Sequence, residues 1–298
     1  MGAGRLTAAL VTLLLAGCAP ASAVAGGSTG PVSSRRAPEG SYTVGVRTLT
    51  LDPRSARPLP VTIWYPASAD GVAAGRFPVV VYSHGLGSLP ELHSGLTTRW
   101  VAAGFVVAAP AYPHTRRGAA HFTRADVRNQ PADAWRLIRH LGRLDAERGD
   151  PLAGHLDLTS IAAAGHSAGG FTSSGMFSEG HQARLRSGIV IAGGGLPGSF
   201  AGSAAPVLFV HGTADSVVPV TVGRAAYART PGPAAFLSLL GQDHGAYLTP
   251  GHPGFAQVLA TTTDFLRWTL YGDRAAGARL PADAHSPALT SYESRPAH

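Results

Sequence analysis

The pentapeptide Gly165-His166-Ser167-Ala168-Gly169 contains a serine whose surroundings favour nucleophilic chemistry. It follows an apolar run that ends at Ala164 and it opens a segment of small residues, so the serine lies where a strand turns sharply into a helix. Glycines on both sides remove the side chains that would crowd such a turn. The same pattern occurs around Ser28, but no apolar strand precedes it there and no helical pattern follows. The context therefore predicts Ser167, and not Ser28, as a nucleophile.

A serine nucleophile needs partners, because its hydroxyl reacts slowly at neutral pH until a base removes its proton. A third, acidic group must hold that base in the correct tautomer. Asp215 comes after the apolar strand Val207 to Val210. His244 comes after the strand Phe236 to Leu240. This order along the chain, with each residue just beyond a strand, predicts Ser167, Asp215 and His244 as nucleophile, acid and base.

Other residues compete for two of these roles. Asp215 alternatively serves as a turn or helix-cap residue, since aspartate is favoured in both positions. Asp243 is a rival acid, but it adjoins His244, and the side chains of neighbouring residues tend to diverge. His211 at a strand end and His252 before the last helix compete as the base. The strand-end rule favours His244 over both.

Cleavage of an acyl group also requires amides that stabilise the negative charge developing on the carbonyl oxygen. One amide is expected from Ala168, the residue after the nucleophile. The other is expected from the glycine-containing loop after the strand Phe77 to Tyr82, with Leu86 as the predicted donor. His84 and His166, next to the glycines of these turns, are expected to pack or hydrogen-bond locally and not to transfer protons.

Together these motifs resemble the serine hydrolases of the α/β-hydrolase fold. Within that superfamily the chain is most similar to the platelet-activating-factor acetylhydrolase and dienelactone-hydrolase-like group. The segments that carry the resemblance are Phe77 to Gly87, Gly165 to Gly170, His211 to Asp215 and Gly241 to His244. The chain departs from the dienelactone hydrolases, whose nucleophile is cysteine, so their lactone substrate is not implied. It also departs from cutinases, which usually have Met where this chain has Ala168.

The resemblance implies a carboxylic-ester hydrolase that acts through an acyl-enzyme on short-chain or lipid-derived esters. A peptidase or amidase of the same fold is an alternative, but such chains commonly carry a large additional domain, for which there is little room here. A catalytically inactive binding protein on the same scaffold is a second alternative. It would have to lack the triad, which the sequence retains.

No cofactor or metal ion is expected. The 13 histidines include no H-E-x-x-H motif and no Cys/His spacing typical of a metal site. The run Gly193-Gly194-Gly195 follows a strand, but it lacks the lysine of a phosphate-binding loop and the full dinucleotide fingerprint.

The N-terminus is typical of an export signal. Met1 to Arg5 is short and basic, and Leu6 to Gly17 is apolar but shorter than the roughly 20 residues of a spanning helix. Leu15-Ala16-Gly17-Cys18 resembles the lipobox of bacterial lipoproteins, which implies lipidation at Cys18, the only cysteine, and a membrane anchor in the cell envelope. The alternative is an ordinary secretory signal cleaved after Ala23, which would release a secreted protein.

The net charge of +7 is spread over scattered arginines. Nucleic-acid binding would concentrate basic residues on one face with interleaved aromatics, and no such motif is present, so no nucleic-acid partner is expected. Weak attraction to anionic lipid headgroups agrees with a lipid anchor. A local cluster either lines the mouth of a site or is a solvated loop; its residues are His114, Arg116, Arg117 and His121.

Composition and hydropathy predict one folded body within the 298 residues, because 45% hydrophobic content is enough for a large single core. The expected division is a signal peptide at 1–17, a flexible tether at 18–40, a catalytic domain at 41–272 and a C-terminal extension at 273–298. Tyr42 to Leu51 and Val61 to Trp64 predict an antiparallel hairpin.

Beyond the hairpin, short apolar strands alternate with helical patterns, which predicts a mostly parallel central sheet with helices on both faces. One helix is expected to open at Pro131, and the last to run from Pro253 to Tyr271. The predicted strands of this part are Phe77 to Tyr82, Phe105 to Ala109, Ile161 to Ala164, Gly188 to Ala192, Val207 to Val210 and Phe236 to Leu240.

Overall fold

A ten-stranded sheet forms the centre of the computed structural model, which describes residues 1–2, 37–202 and 204–296. Its strands are β1 (Thr43–Leu51), β2 (Leu59–Ser68), β3 (Gly71–Val72), β4 (Phe77–Ser83), β5 (Val106–Pro110), β6 (Leu156–His166), β7 (Leu185–Ile191), β8 (Val207–Gly212), β9 (Ala234–Leu239) and β10 (Thr290–Arg295). The order across the sheet is β1-β2-β5-β4-β6-β7-β8-β9-β10, and the short β3 pairs with β2.

Six α-helices accompany the sheet in the described residues. They are α1 (Ser94–Ala102), α2 (Gln130–Ala146), α3 (Ala168–Gly175), α4 (Val220–Arg229), α5 (Phe255–Leu266) and α6 (Arg274–Asp283). Short 3-10 turns precede α1 and α2, and a π-helical turn, Arg267–Tyr271, continues α5.

Strands β5, β4, β6, β7, β8 and β9 run parallel to one another. Their carboxyl ends therefore meet along one edge of the sheet, and the loops that follow β4, β6, β8 and β9 lie on the same side of the molecule. The hairpin β1–β2 joins the parallel part through an antiparallel pairing of β2 with β5. This architecture confirms the predicted α/β-hydrolase fold, including its N-terminal antiparallel hairpin.

Two apolar clusters cover the two faces of the sheet. Alternate residues of β4 divide between them, with Tyr82 in one cluster and Val81 in the other, as the two-residue period of a strand requires. Helices α1 and α5 bury residues such as Trp100 and Phe265 in the first cluster. Helix α2 buries Leu137 and its neighbours in the second. Helices on both faces explain why the parallel strands are continuous apolar runs in the sequence.

The C-terminal residues add two elements that the sequence patterns did not predict. Gly272, with a φ of 76°, ends the helical segment as expected, but α6 and β10 follow within the predicted extension 273–298. Strand β10 pairs antiparallel with β9, with Glu293 opposite Phe236. Leu280 of α6 is buried in the first apolar cluster. The sheet therefore extends past the predicted boundary of the catalytic domain at residue 272.

Several predictions for the N-terminus fall on residues that the structure does not describe. Residues 3–17 of the predicted signal peptide, Cys18 and the predicted tether as far as residue 36 lie outside the described residues. In the part of the chain that is described, no helix is both long enough and apolar enough to cross a membrane.

Candidate active site

Ser167 occupies the turn between β6 and α3, as the pentapeptide predicts. Its backbone has φ 57° and ψ −123°, a conformation that is costly for any residue other than glycine, by about 1–3 kcal/mol. The Ser167 amide donates to the carbonyl of Ile191 at 2.9 Å, and the amide of Gly170 donates to the Ser167 carbonyl at 2.8 Å. These bonds hold the strained turn between the neighbouring strand and the helix, so its side chain stays partly exposed at the edge of the sheet.

Only glycine fits at position 169, because the backbone there lies directly against the end of strand β4. A side-chain carbon at this position would lie 1.9 Å from the carbonyl oxygen of Ser83, at the end of the adjacent strand β4. Gly165 is similarly confined, since a side-chain carbon there would lie 2.3 Å from the carbonyl oxygen of Gly169. The flanking glycines of the pentapeptide therefore let the nucleophile turn pack directly against β4.

The loop after β4 forms a tight turn beside the nucleophile. The Ser88 amide donates to the Gly85 carbonyl at 3.2 Å, and the Gly87 amide donates to the carbonyl of Thr115 at 2.7 Å. Neither bond uses the amide of Leu86. Ala168 is the first residue of α3, and the first amides of a helix have no acceptor within it. One predicted donor, Ala168, thus follows Ser167 directly in the chain, and the other, Leu86, belongs to a loop that lies beside Ser167.

Asp215 and His244 are in direct contact. The Nδ1 atom of His244 lies 2.7 Å from Oδ2 of Asp215, whose side chain is fully buried. The other carboxylate oxygen accepts from the amides of Val217 and Val218, both at 2.9 Å. Burial disfavours the charged carboxylate, but the hydrogen bonds from His244 and the two amides outweigh it and hold the pKa of Asp215 below its usual range. An ionised Asp215 requires the His244 proton on Nδ1, which leaves Nε2 as a proton acceptor.

The rival residues occupy other positions. His211 also lies beside Asp215, with its Nε2 3.3 Å from Oδ2, but that nitrogen is 2.8 Å from the carbonyl of Val218 and the ring is 1% exposed. It is therefore closed off from solvent, whereas the His244 side chain is 20% exposed. Asp243 accepts from the amides of Gly245 and Ala246, both at 3.0 Å, and so caps its own turn.

Three further histidines lie near the turn: His84 and His166 are buried, and His93 is partly buried. Burial lowers the pKa of His84 to about 4, that of His93 to about 4 and that of His166 to about 3. His84 accepts from the Tyr112 amide through Nε2 at 3.0 Å, so its Nδ1 donates to the Gly85 carbonyl at 2.7 Å. This bond steadies the loop that carries Leu86. His84 is therefore a local hydrogen-bonding residue, as expected, and His166 also bonds to backbone, with its Nε2 2.7 Å from the His244 carbonyl oxygen.

The basic cluster lies beside the Leu86 loop. Arg117 donates its amide to the Ser88 carbonyl at 2.9 Å, and Ser88 and Arg116 form an isolated β-bridge. Behind this segment, Gln130 donates to the hydroxyl of Thr115 at 2.7 Å and accepts from Thr172 of α3 at 2.5 Å. A buried network thus connects the loop beside Leu86 to the helix that begins after Ser167.

The described residues contain no group of three or more His, Cys, Asp or Glu side chains placed to hold a metal ion. A cavity of about 470 Å³ lies beside the start of β9 and is lined in part by Phe265, Trp268 and Tyr292. His244 follows the other end of β9, so this cavity is separate from the candidate active site.

The sheet order and the helices on both faces are those of the α/β-hydrolase fold. A family model described as platelet-activating factor acetylhydrolase, isoform II, matches residues 69–147. This match confirms the resemblance predicted from the sequence and supports a hydrolase of the lipase or esterase type. It includes β4, the Leu86 loop and α2, and it ends before Ser167. A search of curated proteins gave no match.

Replacing Gly169 with Ala should disrupt the nucleophile turn, because the added carbon would overlap the Ser83 carbonyl. We expect a loss of at least about 2 kcal/mol in the free energy of unfolding, measured by urea denaturation. The matched control is Gly142→Ala in α2, where the new carbon meets only Leu158 at 3.7 Å. That variant should be as stable as the parent protein or slightly more stable. Equal stability of the two variants would contradict the close contact.

The buried histidines predict that stability falls in mild acid. Below a pH of about 6.5 the unfolded chain protonates these residues, whereas the folded chain does so only near pH 3–4. The unfolded state therefore binds more protons, and each such site removes up to about 1.4 kcal/mol per pH unit in this window. The urea midpoint should drop between pH 7 and pH 5.

The variant His93→Gln tests this assignment, because it removes one of the histidines whose pKa is lowered. The slope of unfolding free energy against pH should become shallower, by up to about 1.4 kcal/mol per pH unit. His285→Gln, which replaces an exposed histidine, is the matched control and should leave the slope unchanged. A parent protein whose stability is constant from pH 7 to pH 5 would refute the prediction.

Proposed function

We propose that the protein is a serine carboxylic-ester hydrolase with Ser167, Asp215 and His244 as its catalytic triad. The observation that carries this proposal is the 2.7 Å contact between His244 and Asp215, two residues from separate loops at the edge of the sheet that holds the Ser167 turn. The family match over residues 69–147 independently favours ester hydrolysis. Both support the prediction made from the order of the motifs.

In the proposed mechanism, Nε2 of His244 takes the proton of the Ser167 hydroxyl while the oxygen attacks the ester carbonyl carbon. The carbonyl electron pair moves onto the oxygen, where the amides of Leu86 and Ala168 donate hydrogen bonds to it. Collapse breaks the ester bond, and the leaving alcohol takes the proton from His244. The products of this half-reaction are the free alcohol and an acyl group on Ser167.

Water then hydrolyses the acyl-enzyme, and His244 again acts as the base. His244 removes a proton from the water as its oxygen attacks the acyl carbonyl, and the same amides bind the second oxyanion. Collapse releases a carboxylic acid and returns the proton to Ser167. Asp215 stays ionised throughout and stabilises the imidazolium, in accord with the lowered pKa of its carboxyl group.

We propose short-chain or lipid-derived esters as substrates. The name of the matching family describes the removal of an acetyl group from a lipid, platelet-activating factor. The chain between Phe171 and Phe200 consists mostly of α3, β7 and their connections, which leaves little length for a large lid. A site without such a lid favours small or extended acyl groups.

We also propose that the protein is exported, either as a lipoprotein anchored through Cys18 or as a secreted enzyme. This proposal depends on the basic and apolar segments of residues 1–17 and on the cysteine that follows them. Mass spectrometry of the protein from its native membrane would detect acyl groups on Cys18.

Replacing Ser167 with Ala should abolish covalent labelling by a fluorophosphonate probe, because the alanine has no oxygen to attack phosphorus. Asp215→Asn should lower kcat by about 10³–10⁴-fold, since the amide favours the wrong tautomer of His244. The matched control is Ser173→Ala, which removes from α3 a hydroxyl that has no hydrogen-bond partner in the described residues. Labelling of the Ser167→Ala variant at the parental rate would overturn the assignment of the nucleophile.

Hydrolysis of p-nitrophenyl esters of increasing acyl length should distinguish acetyl-type from lipid-type specificity. The protein used should lack residues 1–18, so that the proposed signal does not interfere. We expect turnover of these esters and no cleavage of peptide anilides, because peptidases of this fold are the competing class. Efficient cleavage of the anilides would favour that alternative. Absence of both activities and of probe labelling in the folded protein would favour an inactive binding protein.

A further inference from the structure

His166, the residue before the proposed nucleophile, makes a bond that connects two catalytic loops. Its Nε2 atom lies 2.7 Å from the backbone carbonyl oxygen of His244. A carbonyl oxygen is only an acceptor, so Nε2 of His166 carries the proton and donates. The two imidazole rings are also close to one another, with their centroids 4.7 Å apart and their planes tilted by 51°. The turn that carries Ser167 is thereby bonded to the backbone of the proposed base.

The His166 ring lies between two backbone segments, the loops that contain Gly85 and Gly245. A side-chain carbon on Gly245 would lie 3.0 Å from Nε2 of His166. A side-chain carbon on Gly85, in the loop before Leu86, would lie 3.4 Å from Nδ1 of the same ring and 3.2 Å from Cβ of Ser167. The imidazole therefore separates the base loop from the proposed oxyanion loop at close contact on both sides.

A second histidine, His93, packs against the His166 ring. His93 packs edge-on against His166 with their centroids 4.9 Å apart, and its Nδ1 lies 2.6 Å from the hydroxyl of the buried Tyr82. Burial lowers the pKa of both histidines far below neutrality, so neither ring is charged at the pH where an ester hydrolase works. Neutral rings do not compete with His244 for the Asp215 carboxylate.

We propose that His166 is a positioning residue for catalysis, which sets the distance between Ser167 and His244 by its bond to the His244 carbonyl. It does not take part in proton transfer, because its only donor nitrogen is occupied and its ring is buried. Loss of the bond would allow the base loop to move relative to the nucleophile. Displacement of a catalytic group by about 1 Å can reduce turnover by about 10²-fold.

This inference rests on the proposed triad, and a matched pair of variants tests it. In His166→Gln the amide nitrogen can occupy the position of Nε2 and donate to the His244 carbonyl. In His166→Asn the side chain is shorter, and its nitrogen corresponds to Nδ1. With p-nitrophenyl acetate we expect the Asn variant to lose about 30–100-fold in kcat with less than a threefold change in KM. The Gln variant should stay within about fivefold of the parent protein.

Controls separate positioning from a general loss of structure. Thermal unfolding and titration with the fluorophosphonate probe give the folded, reactive fraction of each variant, and kcat is expressed per reactive site. His285→Gln changes an exposed histidine outside the site and should retain parental kcat and KM. Equal kcat values for the Gln and Asn variants would overturn the proposal, as would an effect on KM alone.

Gly245→Ala provides an independent test of the same contact. The added carbon presses on the His166 ring, so this variant should lower kcat in the parental background. In the His166→Asn background the ring is gone, and Gly245→Ala should have little additional effect. Additive losses would contradict the contact. If Ser167→Ala still reacts with the probe, the proposed triad is wrong. If Ser167→Ala is unreactive but the His166 variants have parental kcat, the triad stands and the positioning role of His166 is wrong.

Discussion

The close approach of the nucleophile turn to strand β4 is the constraint on which the site depends. The backbone of Gly169 packs against the Ser83 carbonyl with no room for a side chain. This contact brings the start of α3 next to the loop after β4, so the amides of Ala168 and Leu86 belong to segments that touch. Ser167, two residues before Gly169 in the same turn, has an unfavourable backbone conformation. The strain is local, and the surrounding sheet and helix hold it in place.

Because the central strands are parallel, the loops that carry the three proposed catalytic residues lie at the same edge of the sheet as this contact. Strands β6, β8 and β9 end at the same edge, and Ser167, Asp215 and His244 follow them. Because β7 and β8 separate β6 from β9, the base loop must cross back over the edge to reach the nucleophile. At that point His166 holds the base loop by its hydrogen bond to the His244 carbonyl. Buried histidines can serve as such supports because burial keeps them neutral.

Much of the fold and of the site follows from patterns in the sequence. Strands such as β4 and β9 are covered on both faces, so they are continuous apolar runs and were easy to recognise. The edge strand β10, Thr-Ser-Tyr-Glu-Ser-Arg, exposes one side and is mostly polar, so no run of this kind marks it. The predicted triad depends on the order of Ser167, Asp215 and His244 along the chain, which is the order that this fold uses. The bond between His166 and His244 cannot be predicted from such an order, since it joins residues 78 positions apart through a backbone carbonyl that carries no sequence signal.

The family match and the proposed triad describe different halves of the site. Residues 69–147 contain the Leu86 loop and Gln130, which connects that loop to α3 through Thr115 and Thr172. The triad lies in the remainder of the chain, after residue 147. In the proposed mechanism the matched half supplies the amide of Leu86, whereas the later half supplies the amide of Ala168 and the reacting groups. Gly85 belongs to the first half and His166 to the second, and their contact is where the two meet.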